Sequence, residues 1–154
     1  MVLIKTKLSE ATYQSLVKHL AYVRENKNRI IGEYFADSSL KLNEFQNLFG
    51  NYIEELDKLI KNASTVKTTD ERLPFVVIGS EVEVEELDSN KTYKFRIISS
   101  FSDKNDYLDI SFLSPVGSSL LLKKVGDKVP VEAPKGVFYY KVKSITFLPD
   151  SDIS

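Results

Sequence analysis

The chemistry available to this chain is that of carboxylates, because the usual nucleophiles and soft metal ligands are missing. There is no cysteine among the 154 residues, which removes disulfides, thiolate metal sites and cysteine nucleophiles. The one histidine, His19, has no second histidine or cysteine with which to build a familiar zinc site or a triad. It lies inside a helical pattern and reads as a solvent-facing helix residue. No nucleophile–base pair, metal cluster or phosphate loop is visible, so an independent enzyme is not expected. Among the acids, Glu33 and Asp37 are four apart and share a helix face if the helix extends that far. Two such carboxylates are also ordinary surface charges near a turn. Asp37, beside Ser38, can in addition cap the helix that follows by accepting an orphan N–H.

The element that positions these acids is read from periodicity. Apolar residues recur at alternating steps of three and four in two runs. The first is Tyr13, Leu16, Leu20, Val23, Lys27 (the polar exception), Ile30 and Tyr34. The second is Leu42, Phe45, Phe49, Tyr52, Leu56, Leu59 and Ala63. Both are heptad seams. Folded back between Phe35 and Leu40, the seams meet in order, from Tyr34 with Leu42 to Tyr13 with Ala63. The residue numbers of each pair then add to 75 or 76, the constant sum of an antiparallel hairpin. The expectation is an antiparallel two-helix coiled coil over residues 1–63 with Asp37, Ser38 and Ser39 at its tip. Ser9 reads as the first N-cap, and Gly32 as a tolerated weak point. The first helix should run to about Phe35 and the second from about Leu40 to Asn62. Lys18, Arg24, Glu25, Lys27 and Arg29 read as a solvated face; the alternative is that the basic ones contact an acidic groove or RNA.

Residues 64–72 read as a linker, and from Leu73 the apolar period becomes two. Expected strands cover Glu81–Glu85, Thr92–Ile97, Leu108–Phe112, Val129–Val131 and Val137–Phe147. Ser118–Lys124 reads as a short helix capped by Ser118, and residues 149–154 as a polar tail. Glu81, Glu83 and Glu85 form an acidic strand face. The fold class is therefore α+β, a helical hairpin followed by a small, mostly antiparallel sheet. A net charge of −1 gives no global basic signature for nucleic acid, and 42% apolar with 28% charged residues argues against wholesale disorder. Met1–Lys5 is too short and too soon charged for a signal peptide, and no apolar run reaches membrane length. A cytoplasmic location is expected.

The second unit resembles the C-terminal domain of the bacterial Gre family (GreA/GreB) of transcription elongation factors. The resemblance rests on Ile78-Gly-Ser-Glu-Val82, Leu87-Asp88, Tyr93, Arg96-Ile97, Ile110-Ser111, Ser114-Pro115, Leu121, Val125-Gly-Asp127, Val131, Ala133-Pro134, Gly136 and Tyr140. Their order matches, with Lys135 where a glycine is usual, and a hairpin preceding this domain is also the family's architecture. The resemblance implies an FKBP-like fold for residues 73–148, without isomerase activity. It also implies a monomeric, DNA-associated factor that docks on RNA polymerase and inserts its hairpin into the secondary channel, with possible contact to nascent RNA. By resemblance the docking edge is Ser114, Pro115, Val116, Leu120 and Leu121.

In the family, two tip acids help to hold a Mg²⁺ ion with the polymerase and to activate water for cleavage of backtracked RNA. No metal is expected on the factor alone. Here Asp37 stands for the first acid, Leu40-Lys41 and Asn43 for the residues around it, and Glu44-Phe45 for the end of the motif. The second acid falls on Leu42. Each arm is also one heptad shorter than the family's, or about 10 Å. The catalytic candidates are therefore Asp37, Glu33 and Glu44, with Asp37 the one metal candidate. The leading expectation is a polymerase-binding regulator with weak or no cleavage stimulation. The alternatives are an active cleavage factor using Glu33 and Asp37, and a stand-alone FKBP-like interaction module.

Overall fold

The computed structural model describes residues 6–35, 42–68, 70–99, 109–133 and 136–147. After a short strand, β1 (Thr6–Leu8), helix α1 covers Glu10–Glu25 and α2 covers Lys27–Phe35. Ser9 is the N-cap, its hydroxyl accepting from the Thr12 N–H at 3.1 Å. The expected single helix is interrupted at Asn26 rather than weakened at Gly32. The Asn26 backbone N–H and its Nδ2 both donate to the Tyr22 carbonyl, at 3.0 and 2.9 Å, so the side chain competes with the helix for an acceptor. Helix α3 spans Leu42–Lys61. The Asp37–Ser39 tip and the Leu40–Lys41 start of the second helix lie outside the described residues.

The seams are where the two runs placed them. Leu16, Leu20, Val23, Ile30 and Tyr34 on one arm are buried, as are Phe45, Phe49, Tyr52, Leu56 and Leu59 on the other. The Tyr34 and Phe45 rings stack at 3.8 Å near the tip, while Lys27 points to water. Arg24 pairs with Asp57 across the arms at 3.1 Å.

The second unit is a five-stranded sheet. Its strands are β3 (Ser80–Glu86), β4 (Thr92–Ile98), β5 (Asp109–Ser111), β6 (Lys128–Ala133) and β7 (Gly136–Phe147), in the order β5-β4-β3-β7-β6. Pairing is antiparallel except that β5 runs parallel to β4. The bidentate Arg96–Asp109 pair, at 3.1 and 2.9 Å, pins that parallel edge. Glu81 and Glu83 stand opposite Arg96 and Lys94, and Glu85 opposite Lys141, so the acidic strand is flanked by basic ones. Pro130 sits on the short edge strand β6, where a missing N–H is tolerated.

Helix α4 is Pro115–Leu120, earlier in the chain than expected, and its cap is Ser114 rather than Ser118. Ser114 Oγ accepts from the Gly117 N–H at 3.1 Å, and proline occupies the first turn, where no N–H is needed. Leu122 follows with φ 70°, a left-handed conformation that is strained for a bulky residue.

The stretch between hairpin and sheet is tied at both ends. Strand β2 (Ala63–Thr65) pairs in parallel with β1. Further on, Leu73 N donates to the Ile145 carbonyl and Phe147 N to the Glu71 carbonyl, at 3.1 and 2.8 Å. Thr12 Oγ1 donates to Glu71 Oε2 at 2.9 Å, joining α1 to the same stretch. Phe45 and Phe49 lie 6.3 and 5.9 Å from the Phe112 ring of the sheet unit, and one continuous apolar cluster spans hairpin and sheet.

Two glycines in helices predict opposite outcomes. A Cβ at Gly117 would overlap the Ser111 carbonyl and lie 2.9 Å from Phe112 Cα, whereas one at Gly50 meets nothing within 4 Å. Gly117→Ala should cost at least ~2 kcal/mol in urea unfolding. Gly50→Ala should stabilise by ~0.5–1 kcal/mol in the same measurement.

Candidate functional site

Of the acid candidates, Glu33 is exposed and already paired: Arg29 Nη1 donates to its Oε1 at 2.7 Å, and Arg29 Nη2 donates to Tyr22 Oη at 2.8 Å. Glu44 is exposed in the first turn of α3, where the positive helix end favours a carboxylate. Asp37 lies outside the described residues, so its juxtaposition with Glu33 is not part of the described geometry. Among the described residues no group of three or more His, Asp or Glu is placed to hold a metal ion. Of the basic helix residues, Arg24 and Arg29 are engaged in ion pairs, while Lys18 and Lys27 project into solvent.

The expected docking edge divides. Ser114, Pro115 and Val116 are half-buried at the start of α4, with Ser114 Oγ donating to the Ser111 carbonyl at 2.7 Å. Leu120 and Leu121 are both 0% exposed and belong to the core, which corrects their assignment to the edge. Leu120 is the last residue of the six-residue helix and Leu121 its C-cap, and the left-handed Leu122 follows them. Beside α4 an open groove of about 280 Å³ is lined by Leu48, Ser118, Ser119, Lys123, Val129 and Pro130.

A second correction concerns His19, which is 1% exposed instead of solvent-facing. Its Nε2 lies 2.7 Å from Tyr52 Oη, and the same oxygen accepts from the Ile78 N–H at 2.9 Å. One hydroxyl serves both neighbours, accepting from the Ile78 N–H and sharing a hydrogen bond with Nε2 whose direction follows the histidine tautomer. Burial pushes the Tyr52 phenol well above its ordinary pKa, because a phenolate there would lose its hydration. A trace of this arrangement is present in the chain. A tyrosine on a heptad seam needs a partner for its hydroxyl, and His19 lies within one turn of Val23, the residue that the seam pairs with Tyr52. The Ile78 contribution has no such trace. A cavity of about 70 Å³ adjoins His19, between the first arm and Ile78, Ser99 and Phe112.

Residues 71–147 match the family model for the C-terminal domain of transcription elongation factor GreA/GreB. Transcription elongation factor GreA of Thermotoga petrophila is 31% identical over 153 residues, covering 92% of this chain and 97% of the relative. The chain belongs to the GreA/GreB family. GreA of Clostridium acetobutylicum is 34% identical over 93 residues, 60% of this chain and 59% of that one. A GreA/GreB structure from Nitrosomonas europaea aligns with TM-score 0.50 at 21% identity, over 93% of this chain and 100% of that chain, a likeness of fold. This Gre-family chain is thus a transcription elongation factor by family, with an α+β architecture. Among the described residues no helix is long and apolar enough to cross a membrane.

Tyr52→Phe should lower stability in urea by ~1–3 kcal/mol, since it leaves the Ile78 N–H and His19 Nε2 without the hydroxyl. The raised phenol pKa also sets a pH trend. The folded state holds the Tyr52 proton more tightly than the unfolded state does. Its contribution is therefore complete below the unfolded value of about 10 and declines as pH rises above it. Denaturation midpoints above pH ~10 should fall less in Tyr52→Phe than in the parent.

Proposed function

We propose that this Gre-family protein is a cytoplasmic, monomeric regulator of transcription elongation. It binds RNA polymerase through its sheet unit, an FKBP-like docking module, and presents a short coiled-coil hairpin to the secondary channel with little or no stimulation of transcript cleavage. The observation that carries this reading is the contact of Phe45 and Phe49 with Phe112. The tip half of α3 lies against the sheet unit, so the described part of the hairpin does not stand clear of that unit. The shorter arms reduce reach further.

The tip chemistry supports the same reading. A Mg²⁺ ion held with the polymerase supplies a Lewis acid and an activated water, and it takes oxygen ligands. Leu42 offers none at the position of the second acid. Glu33 has one carboxylate oxygen on Arg29 at 2.7 Å, so a cation there would share the group with a guanidinium. Asp37 is left as the single tip acid for that ion, and the protein is read as an occupant of the channel that competes with cleavage-stimulating relatives. Nascent RNA and DNA then lie near the bound factor through the polymerase, and Ser114, Pro115 and Val116 form the docking edge.

The test mixes the protein with a backtracked bacterial polymerase complex carrying end-labelled RNA. Association is expected, with RNA shortening no faster than in polymerase alone and slower shortening by an added active Gre factor. Absence of association would leave the interaction-module reading. Brisk shortening abolished by Asp37→Ala would instead establish the Glu33/Asp37 cleavage factor. Pro115→Asp, at the docking edge, should weaken association at least ~10-fold, about 1.4 kcal/mol, in a competition-binding titration.

A further inference from the structure

Tyr52 joins three parts of the molecule at one buried oxygen. Its ring belongs to α3, its hydroxyl meets His19 of α1, and the same hydroxyl takes the Ile78 N–H of the sheet unit. The loop that supplies Ile78 is itself bound in two directions. Gly79 N donates to the Ile97 carbonyl of β4 at 2.7 Å. Val76 N donates to the Lys123 carbonyl at 2.9 Å, and Leu122 N donates to the Val76 carbonyl at 3.0 Å. Leu122 and Lys123 directly follow α4, the helix whose first turn carries Ser114, Pro115 and Val116. A short hydrogen-bonded path thus runs from both hairpin arms, through Tyr52 and the 75–79 loop, to the docking edge. The aromatic contacts on Phe112 hold the same surfaces together but are tolerant of sliding, whereas a hydrogen bond is confined in both distance and angle.

We propose that Tyr52 is a positioning residue, whose hydroxyl sets where the hairpin end stands relative to the docking edge. Its functional consequence rests on the polymerase-binding reading; the positioning itself does not. The absence of native cysteine allows a paired label at Asn47→Cys in α3 and Lys94→Cys in β4, both exposed. Pulsed spin-label distances in the free protein should give one narrow distribution. Tyr52→Phe should at least double its width, and so should His19→Leu, while His19→Gln, which keeps a polar partner for the hydroxyl, should stay narrow. Val131→Ala, a buried β6 change away from the path, should lower thermal stability without broadening. Against polymerase, Tyr52→Phe should keep its affinity within about twofold and lose most of its block of an active Gre factor. If Tyr52→Phe does not fold, the His19 pair decides. Unchanged width in Tyr52→Phe or His19→Leu, or equal broadening in Val131→Ala, overturns the proposal. A parent protein that does not bind polymerase removes the functional reading while the distances still decide the positioning.

Discussion

Helix α3 is buried from two sides at once, and the rest of the structure depends on that burial. Phe45, Phe49, Tyr52, Leu56 and Leu59 face the first arm, and the tip-side members also meet Phe112 and Ile78. Each such side chain contributes about 2 kcal/mol when withdrawn from water. A two-helix hairpin alone buries one stripe per helix and leaves its flanks wet. Here the sheet unit covers one flank, and this is why a tyrosine and a histidine can share the interior. Tyr52 Oη is satisfied by His19 Nε2 and by the Ile78 N–H, which lowers the cost of burying that hydroxyl.

Covering that flank bears directly on the proposed function. A hairpin that stands free can probe deeply into a channel, and its reach is set by arm length. A hairpin packed along a second unit has less of its arms standing clear, and its direction is inherited from the unit that it leans on. The proposed role, occupancy of a site rather than chemistry within it, is supported by Leu42 in place of a second tip acid and by the ion pair on Glu33. The surface charges of the arms, mostly solvated or paired, add little stability. Their weight lies in solubility and in the approach to a charged partner.

The stretch between the units illustrates how tertiary context redefines a segment. Its composition, Ser64-Thr-Val-Lys-Thr-Thr-Asp-Glu-Arg72, is that of a connector. Its ends nevertheless complete two sheets, one with β1 and one beside β7, because their backbone groups need partners where they pass apolar surface. Polar side chains and strand-like backbone pairing are compatible, so composition alone does not separate them.

The heptad spacing was sufficient to name most of the buried residues of the two arms, since a 3.5-residue repeat places one apolar stripe on each helix. Period-two alternation likewise identified the strands, and the ordered motifs identified the family. Tertiary structure alone decided the rest. His19 is buried against Tyr52 of the other arm, whose hydroxyl also takes the N–H of Ile78 from the sheet unit. Leu120 and Leu121 are enclosed by the core that hairpin and sheet share rather than left on the docking edge. The short helix starts at Ser114 because that hydroxyl, rather than that of Ser118, reaches an orphan N–H. These outcomes depend on backbone groups and on contacts between distant segments, and neither is carried by the periodicity of a single segment.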